Sequence, residues 1–211
     1  MTRKIGGPRN SPRSGKMPEP RRSGAATRQA ILESALAAFT RAGYDGAGVR
    51  EIVQGAGVTA MMVNRYFGSK ERLFTEAVEL AFTRKGILTE NLIVDDDDPA
   101  LFCRRFAETL VNRTAPGSAI LSGFPLLLRS VSNERATAIL RDKIDRHFTQ
   151  PLAAMLPGVE ADERAGLLLS LIAGVQVMRQ IIESPALAGA DSIKLSSYLA
   201  KIIQCLIMKK E

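Results

Sequence analysis

The spacing of the apolar residues limits the fold of this chain more than any other feature of its sequence. From Thr27 onward, apolar residues recur every three to four positions, as on one face of an α-helix, and do not alternate as in a half-buried strand. We find no convincing strand pattern and no internal repeat. The sequence therefore predicts an all-α fold. The first apolar stripe consists of Ile31, Leu32, Ala35, Leu36, Ala38 and Phe39.

Capping residues and glycines divide the N-terminal part of this pattern into three helices. A first helix is predicted from an N-cap at Thr27 to a stop at Gly43. Two short helices, 49–55 and 59–67, follow on either side of a turn at Gly57, where a positive φ costs a glycine little. Two short helices around a tight turn are the outline of a helix-turn-helix.

The remaining pattern predicts a series of longer helices. Ser69 is expected to cap a helix from Lys70 to about residue 93, and a break is expected near Pro151. Asp162 is expected to cap a long helix that is apolar on nearly all sides. The predicted C-terminal helices cover residues 99–114, 118–130, 133–148, 162–184 and 192–208.

Positive charge is concentrated at the N-terminus. The net charge of the chain is +7, and residues 1–24 hold seven basic residues against one acidic residue, a net charge of +6. The same segment is rich in Pro and Gly and poor in apolar side chains, so we expect a disordered basic arm. Such an arm attracts DNA through a salt-dependent interaction, although it could also serve only solubility.

Several functional classes find no support in the sequence. There is no arrangement of Ser, His and Asp, no phosphate-binding glycine loop and no zinc ligand set, and the chain has one His, so we expect no enzyme and no cofactor. No apolar run reaches the roughly 20 residues that span a bilayer, and no signal peptide is visible, so we expect a cytoplasmic protein without membrane contact.

Two features that suggest metal or redox chemistry have simpler explanations. Residues 95–98 are four consecutive aspartates, but Asp98 before Pro99 fits an N-cap followed by a first-turn proline. Cys103 and Cys205 are far apart in the sequence and lack a ligand-like spacing, which favours two reduced thiols in helices. We therefore expect no metal site.

The second helix of a helix-turn-helix enters the major groove of DNA with its N-terminal residues facing the base edges. In this chain those residues are Thr59, Ala60, Met61 and Met62. The two methionines could meet thymine methyl groups or could fill the core, and neither can make the bidentate hydrogen bonds that read guanine or adenine. Sequence specificity would then depend on Asn64, Arg50 and DNA shape.

The N-terminal region closely resembles the DNA-binding domain of TetR-family (tetracycline-repressor-like) regulators. The resemblance rests on the segments TRQAILESALAAF from Thr27, AGY from Ala42, VREIV from Val49, AGVT from Ala56 and RYFGSKERLF from Arg65. It implies a helix-turn-helix DNA-binding domain over residues 25–72 and a larger helical domain for effector binding and dimerisation over residues 73–211.

The resemblance also implies phosphate contacts from Arg28, Arg50, Tyr66 and Lys70. Lys70 has a physical reason as well, because a cation beside the free N–H groups of a helix N-terminus can hold a phosphate. Two residues depart from the family pattern: Gly48 replaces a frequent hydroxyl cap, and Asn64 replaces a frequent Tyr. Asn64 could contact adenine instead.

From the resemblance we expect a homodimer formed through about 162–184 and 192–208, bound to a pseudo-palindromic double-stranded DNA operator. Both helices are apolar enough to need a partner surface, although an intrachain core could supply it. A small-molecule effector would release the regulator, which we expect to be a repressor. The alternative is a helical regulator that binds a ligand or a protein without direct DNA contact.

An effector pocket cannot be separated from ordinary core by sequence alone, because aromatic and Met residues at helical spacing serve both. The polar residues of first interest are His147, Gln176, Arg104 and Arg105. The candidate pocket residues are Phe102, Phe106, Phe124, Leu128, His147, Gln176 and Met178, with Leu110, Leu121, Leu140, Phe148 and Met155 as further apolar candidates.

Overall fold

The structure, a computed structural model, describes residues 23–84, 98–120 and 123–208. Every regular element within these ranges is helical, and none is a strand. This confirms the predicted all-α fold. The basic arm over residues 1–24 lies outside the described residues except for its last two positions, and so does most of the aspartate run.

Four helices form the N-terminal region. The last of them, α4, continues from the helix-turn-helix toward the rest of the chain, and the predicted domain boundary between residues 72 and 73 falls in its first turn. Its described part ends at Thr83, and the predicted continuation to residue 93 lies outside the described residues. The four helices are α1 (Gly24–Gly46), α2 (Val49–Ala56), α3 (Ala60–Phe67) and α4 (Lys70–Thr83).

The C-terminal region contains further α-helices and two π-helical segments. The α-helices are α5 (Pro99–Arg113), α6 (Gly123–Ser130), α7 (Glu134–Ile144), α8 (Gln150–Met155), α9 (Ala161–Gln176), α10 (Pro185–Ala188) and α11 (Ser192–Ile207). The segment π1 (Asp145–Thr149) joins α7 to α8, and π2 (Val177–Ile181) extends α9.

A first core lies between α1, α2, α3 and α4 and continues under α6 and α7. Ile31, Phe39 and Ile52 are fully buried at its centre. Each such side chain stabilises the fold by about 1.5–3 kcal/mol relative to an exposed one. Because Leu126 and Leu140 belong to the same core, the N-terminal helices are held on a platform built by later parts of the chain.

A second core lies between α5, α8, α9 and α11. Phe106 and Leu110 on α5 and Leu168 on α9 are buried at its centre, and Ile203 on α11 completes it. The apolar helices near the C-terminus thus supply much of this core from one face each.

The helix ends show which capping predictions hold. Ser69 and Asp98 are N-caps and accept hydrogen bonds from the backbone of the first turn, as predicted. The predicted caps at Thr27 and Asp162 are wrong: Ser23 caps α1 by accepting from the Ala26 N–H, and Glu160 precedes α9. Thr27 lies inside α1 because a better cap, a serine hydroxyl, precedes it by one turn.

The predicted stop at Gly43 is a break inside the helix: Gly43 has φ of 71°, and α1 continues to Gly46. A Cβ at this position would lie 2.1 Å from the Arg129 carbonyl oxygen on α6. The backbones of α1 and α6 therefore approach closely at a point where only glycine fits.

The predicted break near Pro151 is wrong. The chain runs helically from α7 through π1 into α8, and Pro151 is the second residue of α8. A proline clashes with the carbonyl four residues earlier and has no N–H to donate. The preceding π-helical segment, in which the Gln150 N–H bonds to the Asp145 carbonyl, widens the turn and accommodates the proline.

Candidate nucleic-acid interface

The turn between α2 and α3 fixes the geometry of the helix-turn-helix. Gly57 adopts a left-handed conformation, with φ of 68° and ψ of 37°, directly after α2. The next N–H, that of Val58, donates to the Val53 carbonyl at 3.0 Å. These two residues close a Schellman-type helix end, so that α3 starts in a new direction.

The two faces of α3 have opposite properties. Val63 and Phe67 are buried against α2 and α4, and Met62 packs partly against the same core. Met61 is 76% exposed on the other face. The sequence left both methionines open, and the structure separates them because consecutive helical residues point 100° apart. The exposed positions of α3 are Ala60, Met61, Asn64 and Arg65.

The N-terminus of α3 offers uncommitted polar groups. Thr59 occupies the N-cap position, but its hydroxyl makes no capping hydrogen bond and is exposed. The first N–H groups of a helix that lacks a side-chain cap can bind an anion. Gly48, the N-cap of α2, likewise supplies no side-chain bond.

Three of the six arginines described in the N-terminal region are held by carboxylates. Arg41 is paired with Glu51, and Arg84 donates to Glu33 at 2.6 Å. Arg28, a predicted phosphate ligand, pairs with Glu76 on α4 and lies 4.7 Å over the Phe67 ring. Its position therefore ties α1 to α3 and α4, and a phosphate would have to compete with Glu76. The basic residues of this region without an ion pair inside the described ranges are Arg50, Arg65, Lys70 and Arg72.

Lys70, at the first position of α4, is held over an aromatic ring. Its ammonium nitrogen lies 4.8 Å from the centre of the buried Tyr44 ring. Burial lowers the pKa of Lys70, and Asp45 acts in the opposite direction. Burial, with Glu71 and Asp45, raises the pKa of Tyr44, so the phenol stays neutral beneath the cation. The arrangement fixes a single positive charge beside the N-terminus of α4.

Tyr66 lies at the junction of α3 and α1. Its ring is half buried against the first core, and its hydroxyl lies 3.3 Å from the point where a Cβ on Gly24 would be. The start of α1 therefore meets α3 at this hydroxyl. Ser23, the first described residue, therefore lies at the edge of the candidate interface.

Arg65 is a further candidate, which the sequence pattern did not single out. It is exposed on α3 next to Asn64, and its guanidinium lies 6.0 Å from the Tyr66 ring centre. The available signal was its spacing of four residues from Met61, which places both on one helical face.

The structure places the candidate pocket residues in different surroundings. Phe102 and Phe106 lie on α5 with ring centres 5.9 Å apart, and Gln176 is buried at the end of α9. Leu128 and Met178 are each 37% exposed. Phe124 is half buried on α6. A pocket shared by these seven residues stays a prediction.

His147 lies where α4 meets the C-terminal region. Its Nε2 is 2.9 Å from Glu79, which also accepts from Lys143 at 2.6 Å. The Phe82 ring lies 6.1 Å from the imidazole and 5.0 Å from Phe148. Lys143 holds the pKa of Glu79 below its ordinary value, and His147 acts in the same direction. The cluster joins α4 to π1.

A groove of about 560 Å³ lies between α5 and α11. None of the seven candidate pocket residues lines it. Arg104, which the sequence singled out as a polar candidate, does line it, together with Glu108 and Lys201. These three charged side chains make no ion pair within the described ranges.

An exposed apolar face runs over α9, π2 and α11. The same helices bury their opposite faces in the second core. Apolar side chains this exposed on a helical surface are typical of a site that another protein surface covers. The face comprises Leu167, Ile181, Ile182, Tyr198 and Ile202, which are 42–65% exposed.

The fold and the exposed recognition helix define a helix-turn-helix DNA-binding protein. The family of bacterial regulatory proteins of the tetR family matches residues 31–77, and the tetracyclin repressor-like C-terminal domain matches residues 102–207, half of the chain. The chain belongs to the TetR family of transcriptional regulators, and this confirms the resemblance seen in the sequence. DNA-binding transcriptional regulation is the function of this family. No curated protein was found to match.

Solved structures show the same fold. A TetR-family regulator from Streptomyces coelicolor A3 is 23% identical, with a TM-score of 0.54, and the match covers 90% of this chain and 99% of that one. A regulator from Saccharomonospora viridis in complex with choline is 23% identical, with a TM-score of 0.58 and coverage of 88% and 100%. Salmonella enterica GusR is 17% identical, with a TM-score of 0.65 and coverage of 92% and 99%.

Within the described ranges, no helix is both long and apolar enough to cross a membrane.

Proposed function

We propose that this regulator is a homodimeric repressor, that α3 enters the major groove of its operator, and that a small molecule releases it. The observation that carries the DNA-contact surface is the outer face of α3, where Met61 and Asn64 are exposed although their neighbours Val63 and Phe67 are buried. Ala60 and Met61 would meet thymine methyl groups, and Asn64 would read adenine.

Phosphate contacts would come from groups around α3. Arg50 and Lys70 have no ion pair within the described ranges, and the Thr59 hydroxyl has no capping bond. Tyr66 offers its hydroxyl beside the start of α1. We add Arg65 to the predicted set, and we assign Arg28 a secondary place because Glu76 already binds it. The basic arm, which precedes Ser23 in the chain, would add sequence-independent attraction.

A dimer would form through the exposed apolar face of α9, π2 and α11. Two copies joined by a two-fold axis would build a four-helix interface and present two α3 helices to successive major grooves. The domain division proposed from the sequence, 25–72 for DNA and 73–211 for effector and dimer, fits this arrangement, with α4 as the shared element.

The DNA-contact proposal is tested by mobility shift on the DNA upstream of the regulator's own gene, across a salt series. Arg50→Ala should weaken binding and reduce the magnitude of the salt slope by about 1, because one phosphate contact is lost. Lys70→Ala and Tyr66→Phe should weaken binding to all sequences alike. Arg104→Ala removes the same charge from an exposed position on α5 and should bind like the wild type.

Asn64→Ala tests base reading separately. It should reduce binding to the preferred site more than binding to unrelated DNA, by about 1–3 kcal/mol of discrimination. If the folded wild type retains no upstream DNA, the alternative of a regulator that binds only a ligand or protein gains support.

The dimer is tested by sedimentation of Ile202→Asp. A charge placed in a buried interface should produce monomers, because the burial of an unpaired charge is energetically unfavourable. Ile193→Asp is the matched control, since Ile193 is 83% exposed and lies on the opposite side of α11. A wild type that sediments as a monomer, or an Ile202→Asp variant that remains dimeric, contradicts this interface.

A further inference from the structure

The interior of the C-terminal region contains a buried cation. Arg179 on π2 is 2% exposed. Its Nε donates to the Leu187 carbonyl at 3.1 Å, and its Nη1 donates to the Val111 carbonyl at 2.5 Å and to the Thr114 hydroxyl at 3.0 Å. All these acceptors are neutral, and no carboxylate pairs with Arg179 inside the described ranges. A buried charge without a counter-charge is costly, so its retention needs a reason.

Part of the reason is structural. The carbonyls at the end of α5 have no partners within that helix, and π2 supplies them. Arg179 binds the Val111 carbonyl, and Gln180 donates to the Arg113 carbonyl at 3.4 Å and to the Ser118 hydroxyl at 2.8 Å. The partial negative charge at a helix C-terminus also favours a cation there.

Three polar groups of this segment take no part in holding the end of α5. The Nη2 of Arg179 takes no part in the three hydrogen bonds of that side chain. The Nε2 of Gln176, a residue only 3% exposed, is buried without a partner, and so is the Oε1 of Gln180. Buried polar atoms are almost always paired, so one buried donor group and one buried acceptor without partners point to a bound molecule.

These groups share one face of the helix. Gln176, Arg179 and Gln180 are spaced by three and four residues and point into the protein. The opposite face of the same segment carries the exposed Ile181 and Ile182, which belong to the proposed dimer surface. Apolar side chains of α9, Ile172 and Val175, precede the polar groups on the inner face. The open donors therefore sit at the polar end of an otherwise apolar interior.

We propose that the effector of this regulator is a small organic carboxylate. Its carboxylate accepts hydrogen bonds from the Nη2 of Arg179 and the Nε2 of Gln176, and its apolar part lies along Ile172 and Val175. The carboxylate supplies the counter-charge that Arg179 lacks. This inference rests on the proposed release by a small molecule. Because π2 bears both the binding groups and part of the dimer surface, a carboxylate bound there changes the spacing of the two α3 helices.

The test is thermal unfolding of the full chain with butanoate, octanoate and benzoate at constant ionic strength. At least one of them should raise Tm saturably, whereas its matched amide and the cation choline should not. Gln176→Leu should weaken this carboxylate at least tenfold, because it deletes one donor to a charged group. The same substitution removes no described hydrogen bond, so the unliganded Tm should not fall. Gln204→Leu on α11 is the matched control and should keep wild-type affinity.

Two results overturn the site: no carboxylate of the panel shifts Tm saturably, or Gln176→Leu binds the active carboxylate as tightly as the wild type. Operator binding without ligand is measured in parallel and separates the two proposals. If DNA binding is intact and no carboxylate acts, the carboxylate site fails and the repressor proposal stands. If a carboxylate binds through Gln176 but the protein holds no DNA, the site stands and the repressor proposal fails.

Discussion

The interiors of the two cores differ in their polarity. In the first core, the one buried polar side chain among the described residues is Ser130, whose hydroxyl accepts from the Tyr44 N–H at 3.1 Å. The second region buries an arginine, two glutamines and Thr114, and leaves two amide atoms without partners. An apolar interior has no polar groups that need a partner. An interior with unpaired polar groups gains stability when a ligand supplies their hydrogen bonds.

The two regions also differ in the residues that occupy positive-φ backbone positions. The left-handed positions of the N-terminal region are glycines, at residues 43, 57 and 68. In the C-terminal region two glutamates, Glu160 and Glu183, adopt φ of 60° and 52°. A side chain in this conformation stores strain. The positive-φ positions of the N-terminal region are thus held by the residue that tolerates them, whereas two such positions in the C-terminal region carry side chains.

Phe74→Ala gives the largest expected effect. Phe74 is fully buried, and its ring centre lies 5.0 Å from those of both Phe39 and Tyr44. The substitution should lower the free energy of unfolding by about 3–5 kcal/mol, through lost burial and the cavity left behind. Urea unfolding followed by circular dichroism measures it. Phe102→Ala, at a half-buried site of the second core, should lower the free energy of unfolding clearly less. An equal loss in the two variants would contradict the difference between the two cores.

Thr114→Val tests the polar interior. The Thr114 hydroxyl donates to the Leu110 carbonyl at 2.6 Å and accepts from Arg179. Its loss should cost about 1–3 kcal/mol, because a donor of the buried guanidinium loses its acceptor. Thr109→Val is the matched control. The Thr109 hydroxyl also donates to a carbonyl four residues earlier in the helix, that of Arg105, but at an exposed site. This control should change the free energy of unfolding by about 0.5 kcal/mol or less.

Gly57→Ala and Glu160→Gly test the positive-φ positions of the two regions, and they should change the free energy of unfolding with opposite signs. Gly57→Ala should destabilise the protein by about 1–2 kcal/mol, the penalty of a left-handed conformation for a residue with a Cβ. Gly57→Asn should cost less, because Asn tolerates that conformation. Glu160→Gly should raise the free energy of unfolding by up to about 1 kcal/mol. Urea midpoints decide both, and a loss of stability in Glu160→Gly would show that the glutamate is not strained.

Glu79 at the joint between the regions gives the smallest effect. Its pKa is lowered in the folded protein, so its ion pairs stabilise the fold above the ordinary glutamate pKa of about 4.3, and this contribution is lost as pH falls through the lower folded value. Because Glu79 is 41% exposed, it should contribute less than about 1 kcal/mol. In urea unfolding between about pH 6 and pH 3, Glu79→Gln should show a flatter pH dependence than the wild type.

Glu108→Gln is the matched control, because it removes a carboxylate that has no ion pair within the described ranges. It should leave the pH dependence as in the wild type. If Glu79→Gln and the wild type lose stability in parallel as pH falls, the cluster of Glu79, Lys143 and His147 does not join α4 to π1 energetically.

The sequence by itself determined the elements of this protein and its family. Helical period, the glycine at position 57 and the caps at Ser69 and Asp98 are local signals, and local signals can be read without knowing the fold. The helix-turn-helix therefore followed from the sequence, and the resemblance to TetR-family regulators rested on the same segment. The errors at Thr27, Asp162 and Pro151 concern positions where neighbouring residues or a π-helical turn changed a local preference.

The tertiary structure alone decided which side chains have partners. It separated Met61 from Met62, bound Arg28 to Glu76, and buried Arg179 beside the end of α5. No spacing along the chain predicts these outcomes, because each depends on a residue from a distant helix. Burial and pairing are properties of the packed fold, and the polarity of an interior is known only once distant segments have closed around it.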